Sequence, residues 1–212
     1  YMIKYLIFGI AGLTLLLISI SSTSVSVAFP NIIRDLDTSL VLAGWILTAY
    51  QLIYIGLLPL IGKVSGILGR RFTLILSVFL FTLGSGLCAV APNIYLLIFF
   101  RIIQAVGGSG LVPCITEIVS DEFPEARQRF IGLLSSIYPI GMIIGPNLGG
   151  VLVEYFGWRS VFWINAPPGI IVIALAWLLL QNKGKVVKSK IDYTGAGLFF
   201  GSLLAFMLFL TN

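Results

Sequence analysis

Long apolar runs, broken by short polar punctuation, dominate the chain. They extend from about Tyr5 to Pro30, Val41 to Ile61, Phe72 to Ala91, Ile94 to Val119, Ile131 to Val153, Val161 to Leu180 and Tyr193 to Leu210. Each approaches or exceeds the roughly 20 residues that a helix needs to cross a hydrocarbon core. The breaks are Arg34-Asp35-Leu36-Asp37, Gly69-Arg70-Arg71, Ala91-Pro92-Asn93, Asp121 through Arg129, Glu154 through Arg159, and Asn182 through Asp192. The pattern predicts an all-α, polytopic transmembrane bundle. Six spans occupy residues 1–181, a basic linker 182–192, and a seventh span 193–212. The first run lacks the short apolar core and small-residue cleavage site of a signal peptide and continues as a full span.

Composition agrees with a bilayer as solvent. Hydrophobic residues make up 58% of the chain and charged residues 10%, with a mean hydropathy of +1.08. A soluble domain carries about 25% charged residues to cover its surface. Histidine is absent, which excludes Ser-His-Asp triads, the usual zinc clusters and histidine proton relays. No metal or cofactor is expected, and no span pairs acids or sets a nucleophile beside a base, so an enzyme is not expected. Cys88 and Cys114 fall inside apolar runs and predict no disulfide framework.

The net charge of +5 is explained by where the bases lie. With the N-terminus placed inside, the inner side holds ten bases: Lys4, Lys63, Arg70, Arg71, Arg127, Arg129, Lys183, Lys185, Lys188 and Lys190. Only Arg34 and Arg159 fall outside, and Arg101 lies within a span. That bias predicts a multi-pass protein of the cell membrane with a cytoplasmic N-terminus. The run Lys183–Lys190 reads as a loop near anionic headgroups, with the lipid bilayer and not nucleic acid as its partner.

Within the spans, Arg101 stands out. An arginine at a helix centre costs at least about 2.5–3.5 kcal/mol, tolerated when the head faces a wet cavity or a carboxylate. Gln104, three residues on, shares its helix face. The competing reading is an arginine snorkelling to the interface near Asn93; the cavity role is the expectation adopted. Glu117 lies sixteen residues after Arg101, roughly 24 Å along a helix and close to a full crossing. It is expected at the inner end with Asp121 and Glu122, pairing with Arg70, Arg71, Arg127 and Arg129. Tyr50, Gln51, Ser21, Ser22, Ser26, Tyr138 and Asn147 add neutral polar groups and predict a polar seam through spans one, two and five. Gly107-Gly108-Ser109-Gly110, Gly141-x-x-x-Gly145 and Gly149-Gly150 predict close helix approach. Pro113, Pro139 and Pro146 predict bends within spans.

These residues resemble a known family. Gly62-Lys-Val-Ser-Gly-Ile-Leu-Gly69-Arg70-Arg71 resembles the signature loop of the major facilitator superfamily, and Arg101-Ile-Ile-Gln104-Ala-Val-Gly107-Gly108 its second motif. Gly141-Met-Ile-Ile-Gly145-Pro146-Asn-Leu-Gly149-Gly150 matches the motif associated with its antiporters. Trp45 to Leu52 and Gly157 to Asn165 resemble segments of its fourteen-helix drug:proton antiporters. Two positions depart: Gly66 replaces an acid usual in the signature loop, and Ser21 falls where many drug antiporters carry an aspartate. Serine does not titrate near neutral pH, so proton coupling through span one is not implied.

The resemblance implies a secondary transporter, working by alternating access between two six-helix halves. This chain corresponds to the N-terminal half. The expected partners are a C-terminal half or second chain, a lipophilic, cationic small molecule and, in the family, protons. The cavity wall is expected from spans one, two, four and five, with Arg101, Gln104, Tyr50, Gln51, Ser21, Ser26, Tyr138 and Asn147 on it. Conformational roles are expected for Gly62, Gly69, Arg70, Arg71, Glu117, Arg127, Gly141, Gly145, Pro146, Gly149 and Gly150. The alternative is a non-transporting scaffold or partner-binding membrane subunit derived from a transporter half.

Overall fold

In the computed structural model of the chain, residues 2–180 and Gly201, Ser202 and Ala205 are described. The expected basic linker lies outside the described residues, as does the seventh span apart from those three positions. The remaining six expected spans are all helices long and apolar enough to cross a membrane. They are α1 (Met2–Asp35), α2 (Leu40–Leu68), α3 (Arg70–Ala89), α4 (Ile94–Glu122) and α5 (Arg127–Phe156), then the short α6 (Ser160–Trp163) and α7 (Ala166–Leu179), which together form the sixth crossing.

The helices overrun their apolar cores because polar ends still satisfy backbone groups at the interface. Where they stop, the sequence supplies a cause. Ser39 caps α2 by accepting from the Leu42 amide at 3.2 Å, and Asn93 caps α4 by accepting from the Leu96 amide at 2.9 Å. Gly69 (φ 87°) and Gly157 (φ 77°) provide the positive φ that turns α2 into α3 and α5 into α6. The sixth crossing is broken before Ala166 because Pro167 and Pro168 lack N–H groups and fit only the first turn of a helix.

α4 packs along α3 and α2, α1 along α5 and α7, and α1 meets α4 in the middle. Small residues set the closest approaches. A side-chain carbon on Gly84 would fall 2.6 Å from the Gln104 amide, and one on Gly107 would run into the Phe81 backbone. Along α1 and α5, Gly141, Gly145 and Gly149 lie against Ser19, Thr23 and Ser24, and the Ser24 hydroxyl donates to the Gly145 carbonyl at 2.8 Å. The expected close approach does not extend to Gly150, which faces open space. Gly150 is turned about 100° from Gly149 around the helix, off the face that α1 covers.

Two apolar clusters form the core. One gathers Ile10, Leu17, Leu74, Phe81, Leu111, Ile115 and Val172; the other gathers Val25, Ile46, Cys88, Leu97, Trp158 and Phe162. Along each of α1, α3 and α4, buried polar side chains separate the two clusters: Ser19, Ser21 and Ser24 on α1, Ser85 on α3, and Arg101 and Gln104 on α4. Asn165, between α6 and α7, joins the same layer.

Candidate functional site

The polar layer is a connected set of hydrogen bonds. Arg101 is 2% exposed and Gln104 0%. The Arg101 Nε donates to the Ile46 carbonyl at 3.3 Å, and Nη1 donates to Gln104 Oε1 at 2.7 Å. Gln104 Nε2 donates to the Ser21 hydroxyl at 3.4 Å, which also accepts from Asn165 Nδ2 at 3.0 Å. Asn165 Nδ2 donates to Ser85 as well, at 2.8 Å, and the Ser85 hydroxyl donates to the Phe162 carbonyl at 2.8 Å. Five chain segments are tied at one depth. Burial makes each of these bonds costly to leave unmade.

The guanidinium is therefore enclosed by protein. It neither snorkels outward nor opens onto a wet cavity, the role adopted for it from sequence. The physical reason is local. Gly107 and Gly108 draw α4 against α3 and α2, and flat aromatic faces then cover the charge. The guanidinium carbon lies 4.1 Å from the Tyr50 ring centre and 5.9 Å from that of Phe162. Tyr50 stacks on Tyr54, with centroids 6.0 Å apart and planes 13° apart.

Tyr54 leads to a cleft of about 310 Å³. Its lining is Leu15 from α1, Tyr54 from α2, Val112 and Thr116 from α4, and Leu134, Ser135 and Tyr138 from α5. All four helices expected to form a cavity wall contribute. Ser135 has a further property: its carbonyl has no helical donor, because the residue four positions on is Pro139.

Of the expected seam, the structure joins Arg101, Gln104, Ser21 and Tyr50, and puts Tyr138 in the cleft. Gln51, Ser26 and Asn147 lie on exposed faces outside the network, and Asn147 bonds its own helix at the Ile143 carbonyl, 2.8 Å away. Sequence reasoning missed Ser85 and Asn165 as network members and Tyr54 as the link to the cleft. The only signal for Tyr54 was its place one helical turn after Tyr50.

At the end of the bundle that carries Arg70, the expected ion pairing centres on that arginine. Arg70 Nε meets Glu117 Oε2 at 3.1 Å and the Asp121 carboxylate pairs with Nη1. Ser65 donates to Glu117 at 3.1 Å. Arg71 instead donates to the Trp177 carbonyl at 2.6 Å and lies 5.0 Å from that indole ring, while Arg127 and Arg129 are exposed. Consecutive on α3, Arg70 and Arg71 point about 100° apart around the helix, so both cannot reach α4.

Residues 11–211 match the family model described as Major Facilitator Superfamily. The chain belongs to the major facilitator superfamily. Among relatives within it, the Bacillus subtilis multidrug transporter protein MdtP is 34% identical over 182 residues, covering 85% of this chain and 33% of that protein. The Mycobacterium tuberculosis multidrug resistance protein B homolog is 34% identical over 200 residues, covering 94% and 37%. An efflux pump of Gibberella fujikuroi, FUS6, is 32% identical over 215 residues, covering 98% and 38%. The chain thus spans about a third of the length of the curated relatives it matches. The fold matches a solved bacterial homolog of the human lysosomal transporter Spinster at a TM-score of 0.69 and 22% identity, over 97% of this chain and 49% of that one.

Proposed function

We propose that this chain is the N-terminal wall of an efflux transporter for lipophilic small molecules, working by alternating access against a second half. The observation that carries the reading is the cleft of about 310 Å³ shared by α1, α2, α4 and α5, backed by a rigid buried network. A moving half must keep its shape while it rocks, and the Arg101–Gln104–Ser21–Asn165 chain supplies that rigidity at mid-bundle. Arg101 and Gln104 act here as positioning residues. They hold Tyr50, and through it Tyr54, at the cleft wall. Efflux as the direction, and the cell membrane with an inward N-terminus as the setting, draw support from the multidrug and efflux names of the relatives and from the distribution of Lys and Arg.

Proton coupling through α1 is not part of the proposal, since the polar layer on that helix holds only serines. Any proton site belongs to the second half. The test is dye efflux from proteoliposomes holding the complete transporter, this chain with its second half, with and without a pH gradient. Directional dye movement that stops when Tyr54 or Tyr138 is replaced by Ala supports the reading. A purified, folded protein that moves no dye overturns it.

A further inference from the structure

The hydroxyls of the cleft point to a substrate class, an inference that rests on the proposed transport function. On α4 and α5, Thr116, Ser120 and Ser136 turn their hydroxyls back on their own helices. They donate to the Val112, Thr116 and Leu133 carbonyls at 2.8, 2.7 and 2.7 Å. Tyr54, Ser135 and Tyr138 do not. None of their three hydroxyls makes a hydrogen bond among the described residues, and all three side chains line the cleft. A phenol oxygen lies beyond its ring and out of reach of its own helix carbonyls. Ser136 shows that a serine on this stretch can bond its own helix, yet its neighbour Ser135 leaves its hydroxyl uncommitted. The Ser135 carbonyl adds an acceptor, since Pro139 has no N–H to offer it.

Three uncommitted hydroxyls and one undonated carbonyl thus belong to a single cleft of about 310 Å³. Water can match such groups while a cleft is open. A substrate that displaces the water must return the same bonds or lose affinity. The rest of the lining sets the body of that substrate. Leu15, Val112 and Leu134 give aliphatic surface, and the Tyr54 and Tyr138 rings give aromatic surface. Tyr54 is held in orientation by its stack on Tyr50, with centroids 6.0 Å apart and planes 13° apart. A ring fixed in this way meets another ring at little cost in freedom. The volume is at the lower end of small-molecule sites and suits roughly two or three fused rings.

We propose that this cleft selects aromatic molecules that carry hydroxyl groups, compounds of the phenol or polyphenol type, over hydrocarbons of the same shape. The substrate hydroxyl donates to the Ser135 carbonyl and accepts from the Tyr54 or Tyr138 phenol, while its rings lie on the aromatic and aliphatic wall. Lipophilicity alone does not set the order of substrates.

The test uses the complete transporter in proteoliposomes and follows displacement of bound Nile red, with free ligand measured by dialysis. Three competitors of similar size, all uncharged at neutral pH, are compared: 2-naphthol, 2-methylnaphthalene and the saturated alcohol 2-decalol. The expected result is that 2-naphthol binds at least about fivefold tighter than either of the others. The methyl compound is the more lipophilic, so a surface that sorted by apolar burial alone would reverse that order. The double variant Tyr54→Phe with Tyr138→Phe keeps both rings and should bring the two naphthalenes within about twofold of each other. Methylnaphthalene binding as tightly as 2-naphthol to the unaltered protein overturns the hydroxyl selection, and decalol doing so overturns the aromatic one. A double variant that folds and keeps the full preference overturns the assignment to these phenols. Each of these results leaves the transport reading intact if Nile red is still exported. Failure of Nile red to bind or move removes that reading and this inference with it.

Discussion

The Arg101 guanidinium carbon lies over the Tyr50 ring, 4.1 Å from its centre, and two of the guanidinium nitrogens donate to the Ile46 carbonyl and Gln104 Oε1. The pairing fixes both partners at once. Lysine at this position keeps the charge but cannot stack as a plane or present a fork of donors. Arg101→Lys in the complete transporter should express and run as a single species, yet lose at least about tenfold in efflux. Efflux rate normalised to purified protein, with size-exclusion profiles, checks this.

Ser21 is the node where donors from α4 and from the α6–α7 break converge. Ser21→Ala leaves two buried amide N–H groups without their acceptor, at a cost of about 1–3 kcal/mol. Asn165→Ala removes one of those donors. The double variant should therefore lose less than the sum of the two single losses. Unfolding in mild denaturing detergent, arranged as a double-mutant cycle, measures the coupling.

The α1–α5 seam gives a paired prediction. Gly145 leaves no room for a side chain, since a carbon there would strike the Thr23 hydroxyl and approach the Ile20 carbonyl at 3.1 Å. Gly145→Ala should destabilise by about 1–3 kcal/mol through overpacking. Gly150 meets nothing within 4 Å, so Gly150→Ala should be neutral or stabilising by up to about 1 kcal/mol, the ordinary helix preference of alanine. Melting temperatures of the two variants should move in opposite directions, or only the first should move.

The helices, their number within the first 180 residues and the special place of Arg101 were all legible in the sequence. Apolar run length decides the first, and the cost of a charge in hydrocarbon decides the last. Which way Arg101 turns was not legible. That depends on Gly107 and Gly108 letting α4 settle against α3 and α2, a tertiary fact that no single helix encodes. The polar layer was hidden for the same reason. Ser21, Ser85 and Asn165 are ordinary residues on separate segments, and only packing sets them at one depth. Polarity within a span does not say which face carries it, so the sequence alone did not separate Gln51 and Asn147, on exposed faces, from the members of the buried network.

The Arg70 pairs with Glu117 and Asp121 are half-exposed, with side chains 33%, 36% and 48% accessible. Such pairs contribute about 0–1 kcal/mol. Glu117→Gln should therefore barely change the melting temperature, because Ser65 can still donate to the amide oxygen. A larger fall in efflux than in stability would assign this pair to the conformational cycle, and equal small effects would assign it to packing.

The proposed transport surface can be probed directly by single-cysteine labelling in the complete transporter, because Cys88 and Cys114 are buried and give little background. Ser135→Cys, on the cleft, is compared with Ile170→Cys, exposed on α7 away from it. A water-soluble maleimide should modify the cysteine at 135 and spare that at 170, and Nile red should slow the first reaction. A cysteine at 135 that stays unreactive, or reacts at a rate indifferent to Nile red, would contradict the cleft as the path of the substrate.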